Sequence, residues 1–547
     1  MSPSSSLKNP PPAKNSILYC SLFLIVIIIA IAFRVPQLTQ RPMHTDEAVH
    51  AVKFGELLED NYYRYDSSEY HGPTLYYFTL IPAWLESAAK ITEIDETTLR
   101  IVPVFFGIFL IVLLILLLDG LGWQTVIAAG LITAISPAMA YFSRYYIQET
   151  LLVFFTFAVI VSGYRYIKSM HIGWALTTGV FIGLLHATKE TCIISAGSML
   201  IALFITLLIQ SKFTASAQKS YRKINYWHIT ALIAAALAVS ALFYSSFFTN
   251  PGGIVDSYLA YNNYLSKAAH NDWHIHPWYY YLKMLIFSQY LSGPVWSEFI
   301  IIVLAAAGFW AALFKKGITG VDFHLLRFIS FYTIISMIIY SAIPYKTPWS
   351  MLGFLHGLIL LAGAGAVVII NTASSRFMRR VFILLLVMGG IHLTGQSYLS
   401  NYKYSADPSN PYVYGHTTED VFLITQCVKD LAKVHPDGNN MYIEVVCPDH
   451  DYWPLPWYLR SFPNTGWWDK VNMDVPAAPV IIASPGVEPD IIKKLYDVPP
   501  PGEKNLYIPI FDPYTELRPM VELRCYVIKE LWDKYMQNKD LSAKDLN

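Results

Sequence analysis

Charge is scarce in this sequence. Only 14% of its 547 residues are Asp, Glu, Lys or Arg, against about 25% in an ordinary soluble domain. With 54% hydrophobic residues, that shortage excludes a chain whose whole surface meets water. Neither sign of charge is in excess: 39 basic residues balance 39 acidic ones, which excludes the basic footprint of a nucleic-acid binder. Five cysteines are too few for a disulfide framework. Cys20 and Cys192 fall in or beside apolar runs, and Cys427, Cys447 and Cys525 near the C-terminus leave room for one bridge without specifying it. No internal repeat and no glycine-rich phosphate loop is present.

What is abundant is apolar length. Runs suited to crossing about 30 Å of hydrocarbon occur at about 17–35, 100–118, 124–142, 150–166, 173–188, 191–210, 227–248, 298–314, 325–343, 350–370 and 381–398. The pattern predicts a polytopic α-helical membrane protein of about eleven transmembrane helices. The first run is followed by Arg34-Val35-Pro36 rather than by a small-residue cleavage site, so it reads as a retained span and not a signal peptide. With a cytoplasmic N-terminus, one set of loops collects Lys168; Lys212, Lys219, Arg222 and Lys223; Lys315 and Lys316; and Arg376, Arg379 and Arg380. The opposite short loops carry mostly single cations: Arg144, Lys189 and Lys346. This is the positive-inside bias. The 38 tyrosines and 14 tryptophans suit interfacial belts.

Two loops on the outer side, 36–99 and 249–297, are too long to be connectors. Beyond the membrane region, 1–399, the segment 400–547 reads as an extracytoplasmic soluble α/β domain. Thr418 to Val434 carries a helical apolar stripe, Met441 to Val446 and Pro479 to Ala483 read as buried strands, and Pro489–Leu495 and Lys529–Met536 as helices. The aromatic run Asp451 to Arg460 reads as the seam where this domain docks on the membrane region; a ligand surface is the other reading.

Five motifs carry ionisable residues, all on the outer side. The first, His44-Thr45-Asp46-Glu47-Ala48-Val49-His50, sets two carboxylates against low dielectric, where such groups serve a partner, a metal or a proton. The plain alternative is a solvated acidic pair capping a helix. His44, Asp46 and His50 match no established metal spacing. The second, residues 62–77, interleaves tyrosines (Tyr70 among them) with Arg64, Asp66, Glu69 and His71, as a sugar-binding surface does; composition alone favours interfacial anchoring. The others are tight turns: Ser143-Arg144-Tyr-Tyr-Ile-Gln-Glu149, whose charges could form a local ion pair; His186-Ala-Thr-Lys189-Glu190; and Pro344-Tyr345-Lys346-Thr347-Pro348-Trp349. Carboxylates and separated cations at one membrane face suit a phosphate-bearing lipid substrate, with Lys or Arg on the phosphate and a carboxylate moving the proton.

Taken together, H-x-D-E-A-x-H-A, Y-x-Y-D…Y-H-G-P-x-L-Y-Y, S-R-Y, A-T-K-E, Y-K-T-P-W and P-Y-V-Y-G-H-T-T-E-D resemble the GT-C superfamily of membrane glycosyltransferases. That superfamily includes protein O-mannosyltransferases and the aminoarabinose transferases of lipid A. The likeness is greatest to a prokaryotic group labelled flippase-activity-associated proteins, over nearly the whole chain. The resemblance implies sugar transfer from a polyisoprenyl-phosphate donor to a lipid, glycan or protein acceptor. It places the general base on Asp46, beside Glu47, and a second acidic residue on Glu149, where many relatives carry Asp. Arg144, Lys189 and Lys346 are expected at the departing phosphate, and His44, Asp66, Tyr70 and His71 at the substrate. A divalent metal is optional, since polyprenyl phosphate is already a fair leaving group. Direct displacement by Asp46-activated hydroxyl predicts inversion. The competing reading is a non-catalytic accessory or translocation protein for lipid-linked sugars. It would need polar residues through the mid-span regions, where almost no charge occurs. A structural scaffold would have no use for Asp46 and Glu47.

Overall fold

The computed structural model describes the backbone of residues 13–67, 71–213, 225–270, 274–500, 502–511 and 514–544. Tyr70, Glu69 and the side chains of Lys212, Lys219, Arg222 and Lys223 lie outside the described residues. Each of the eleven expected apolar runs falls on helix. Among the described residues, eight helices are long and apolar enough to cross a membrane, and three shorter ones, Trp123–Ile135, Ile172–His186 and Phe299–Phe314, join the same bundle. The chain is an integral membrane protein.

Helix α1 (Ala13–Arg34) starts the bundle. Pro348–Thr372 and Glu149–Ser169 form its centre, with 83% and 78% of their apolar stretches buried, whereas Tyr226–Tyr244 and Arg376–Lys403, at 6% each, line the periphery. Small residues allow the tightest contact. A Cβ at Gly365 would stand 1.8 Å from the Leu304 carbonyl oxygen, and one at Gly308 2.0 Å from that of Leu361. Without a hydrophobic force between helices in lipid, such close backbone approach is what makes dispersion favour association.

Two helices cover one end of the bundle: the amphipathic α2 (Thr45–Asp60) and the uncharged, apolar α3 (Thr74–Leu85). The start of α2 is set reciprocally. The Asp46 amide donates to His44 Nδ1 at 3.1 Å, and the Glu47 carboxylate accepts from the His44 amide at 3.0 Å, so two of the helix's orphan donors are satisfied.

The C-terminal region builds a five-stranded sheet in the order β2-β1-β3-β7-β4, from β1 (Ile443–Val446), β2 (Thr465–Trp468), β3 (Val480–Ala483), β4 (Tyr507–Pro509) and β7 (Arg524–Ile528). β1 runs parallel to β2 and β3, and β7 runs antiparallel to its neighbours. A separate hairpin joins β5 (Glu516–Arg518) to β6 (Val521–Glu522). The expected strands are β1 and β3, whose four residues are all buried. Near-continuous burial of Val and Ile is what central strands covered on both faces require. The other strands are only partly buried, hence without that signal. Glu444 on β1 is buried with Lys494 at 2.8 and 2.9 Å.

The seam is the aromatic run near 451–460. Trp457 Nε1 donates to Glu96 at 2.8 Å, Arg460 donates to the carbonyls of Ile91 and Ile94, and the Tyr458 hydroxyl accepts from the Met43 amide at 2.8 Å.

Candidate active site

Asp46 lies in the first turn of α2 with its side chain 47% exposed. Its carboxylate is within electrostatic reach of His44, His50, Lys189 and His71, and the partly open space they surround is the cleft. Burial among these residues pushes its carboxyl up, but the four cationic or cation-capable neighbours outweigh that and hold it below the ordinary value.

Glu47 points the other way. It is fully buried and takes Arg41 Nη2 at 2.9 Å, Arg100 Nε and Nη2 at 2.9 Å each, and the Tyr146 amide at 2.8 Å. Burial raises its carboxyl, but Arg100 and Arg41 more than offset this and keep it ionised. Arg100 also donates to the carbonyls of Leu38, Arg41 and Pro42. Glu47 thus anchors the loop that presents Asp46.

The turn after Ile147 and the turn before Cys192 meet. Glu149 and Lys189 form an ion pair with side chains 5% and 12% exposed. Burial lowers the Lys189 ammonium, yet Glu149 dominates and leaves it raised. Beside it, Glu190 accepts from the Tyr65 hydroxyl at 3.0 Å and pairs with His71 Nδ1 at 2.9 Å. Burial raises this carboxyl, and His71 draws it down to about 2. His50 pairs with the Tyr76 hydroxyl at 2.8 Å, and burial pushes its imidazole down to about 3, so it is neutral at physiological pH.

Arg144, Lys346 and Asp66 make their contacts elsewhere, and His44 beside Asp46 has further partners of its own. Arg144 donates to the carbonyls of Phe33 and Gln37 and stacks over Tyr402 at 4.7 Å, tying the turn to the end of α1. Lys346 donates to the carbonyls of His276, at 3.0 Å, and Ile343, bracing the second long loop. Asp66 is exposed on the loop before α3. His44 Nε2 meets the Tyr414 carbonyl at 3.0 Å, and its ring stacks on His416 at 5.9 Å.

Two residues at this end of the bundle were legible in the sequence only as parts of longer segments. Tyr345 interacts electrostatically with Asp46, Lys189 and Glu149, while its neighbour Lys346 does not face them. His274 senses Asp46 and bonds the Tyr414 hydroxyl, so the long loop and the chain entering the C-terminal region both reach the cleft. Arg41 and Arg100 could have been suspected, because a buried carboxylate beside lipid needs a cation. Among the described residues, no group of three or more His, Cys, Asp or Glu side chains is arranged to hold a metal ion.

Residues 24–250 match the family described as Dolichyl-phosphate-mannose-protein mannosyltransferase. This segment, under half of the chain, contains Asp46, Glu47, Glu149 and Lys189. No curated protein matches the chain by sequence. Among solved structures, ArnT from Cupriavidus metallidurans is similar in its apo state (TM-score 0.58, 12% identity, 95% of this chain and 98% of that one). It is similar also when bound to undecaprenyl phosphate (0.57, 13%, 94% and 98%). The oligosaccharyltransferase AglB from Archaeoglobus fulgidus, in complex with an inhibitory peptide and a dolichol-phosphate, superposes with a TM-score of 0.55 at 12% identity over 86% of this chain and 70% of that one. The fold is shared with ArnT and AglB. The mannosyltransferase-family segment lies on the part of that fold that carries Asp46 and the Glu149–Lys189 pair.

Proposed function

We propose that this GT-C glycosyltransferase moves a sugar from a polyisoprenyl-phosphate donor to an extracytoplasmic lipid, glycan or protein acceptor, with Asp46 as general base. The observation that carries this reading is the contrast among the carboxylates. Glu47, Glu149 and Glu190 are buried and each held at hydrogen-bond distance by a cationic or cation-capable side chain, whereas Asp46, with His44 Nδ1 no closer than 3.8 Å, keeps 47% of its side chain exposed. Similar structures that hold undecaprenyl phosphate or a dolichol-phosphate support the donor class.

In the proposed reaction an acceptor hydroxyl gives its proton to the Asp46 carboxylate while its oxygen attacks the anomeric carbon. The bond from that carbon to the phosphate oxygen breaks, and its electron pair leaves on the lipid phosphate. The anomeric centre inverts. Lys189, with three N–H groups and one carboxylate partner, has donors left for the phosphate. Glu149 holds the ammonium, and Glu190 orients His71 on the substrate side. Arg144 and Lys346 shape the cleft through the backbone. No step requires a metal. The N-terminus is cytoplasmic and the 400–547 region, a domain of its own, is extracytoplasmic at the cytoplasmic membrane.

The test is release of polyprenyl phosphate in liposomes supplied with a panel of polyprenyl-phosphate sugars. Release that collapses in Asp46→Asn supports the reading. Labelled lipid crossing the bilayer equally with either protein, without turnover, overturns it in favour of translocation.

A further inference from the structure

The C-terminal region holds a second cavity, of about 240 Å³, lined by Glu488, Phe511, Tyr514, Glu522, Arg524 and Tyr526. Its polar groups are fixed before any ligand arrives. Arg524 Nε donates to Glu522 at 3.0 Å, its Nη1 pairs with Glu488, and the Tyr526 hydroxyl donates to Glu488 at 2.7 Å. Between them the two carboxylates and one guanidinium leave one net negative charge, so a phosphate or a uronic acid is repelled. Each carboxylate still has lone pairs to accept from hydroxyl groups. Tyr514 stands at the rim with 53% of its surface open, and its hydroxyl is held by Glu516 at 3.3 Å. A flat ring beside fixed acceptors, in an open hollow of this volume, is complementary to a hydroxylated ring.

The position of the cavity adds a second argument. Glu522 lies on β6 opposite Glu516 on β5, and two residues along β5 from Glu516, across an irregularity in the pairing, is Arg518. Arg518 Nη1 donates to Thr45 Oγ1 at 3.2 Å, and Thr45 precedes Asp46. One hairpin therefore joins the cavity to the turn that presents the proposed base.

We propose that this cavity is an acceptor subsite that binds one neutral or amino-bearing pyranose of a glycan, whose next hydroxyl is thereby led toward Asp46. The inference rests on the transferase reading for its purpose, but saccharide binding can be measured without turnover. The full-length protein in nanodiscs is probed by saturation-transfer NMR with methyl glycosides of mannose, glucose, galactose, N-acetylglucosamine and glucuronic acid. The expected result is binding of at least one neutral or N-acetylated glycoside, retained in Asp46→Asn and weakened about tenfold or more in Tyr514→Ala. Glu522→Gln, which keeps the shape and removes a charge, should relax the exclusion of the glucuronide. Binding of no glycoside, preference for the glucuronide by wild type, or binding indifferent to Tyr514→Ala overturns the proposal. Glycoside binding without any donor turnover by wild type would sink the transferase reading and leave the subsite standing.

Discussion

The Arg100 guanidinium grips the Glu47 carboxylate through Nε and Nη2, both at 2.9 Å, one residue from an Asp46 side chain that is half open to the cleft. Two adjacent acids are thereby given different work: one fixes the loop, the other is presented to substrate. Helical geometry makes this division available, because successive side chains at the start of a helix diverge by about 100°.

Substitutions at the two positions should fail differently. Asp46→Asn should leave a normally folded protein with transfer reduced by about 10²- to 10⁴-fold, the usual contribution of a general base. Glu47→Gln strands two buried arginines, and breaking a buried ion pair from one side costs about 3–5 kcal/mol. It should lower membrane yield and the thermal midpoint. Equal stability of the two variants in detergent would contradict the assignment.

The Glu149–Lys189 pair should matter through the cation. Lys189→Met should weaken binding of polyprenyl phosphate itself, measured by displacement of a labelled lipid, by about tenfold or more, the loss of a charge-assisted contact of about 1.5–3 kcal/mol. If Lys189→Met left lipid phosphate binding intact and impaired turnover alone, the ammonium would not be the phosphate's partner.

The pH profile follows from the depressed Asp46 carboxyl. A base works only when ionised, so activity should hold as pH falls through about 5 and be lost only below the ordinary aspartate range of about 3.9. Removing a neighbour that can carry positive charge raises the Asp46 value, so His71→Ala should move the acid limb of kcat/KM to higher pH. A limb that stays in place, or moves down, would detach His71 from the base.

In the C-terminal region, Lys494→Met should destabilise by about 3–5 kcal/mol, because it leaves Glu444 charged and alone in the core. The double change Glu444→Leu with Lys494→Met should recover much of that loss. Limited proteolysis of the full chain, following cleavage within 443–528, reads both outcomes.

Sequence alone determined the elements whose physics is local. Apolar length dictated the helices, since a run that meets lipid must satisfy its own backbone, and the buried central strands β1 and β3 declared themselves by short runs rich in Val and Ile, interrupted in β1 only by Glu444. The unusual placement of Asp46, Glu149 and Lys189 beside lipid was also visible, because charge there is costly wherever the rest of the chain goes. Pairing was not visible. Arg100 is 53 residues from Glu47, His71 is 119 from Glu190, and Arg518 is 473 from Thr45. Which carboxylate is spent on a cation and which is left open depends on where helix ends meet in three dimensions. That was decided by tertiary packing, because a carboxylate's chemistry is set by the charges and solvent around it rather than by its neighbours in the chain.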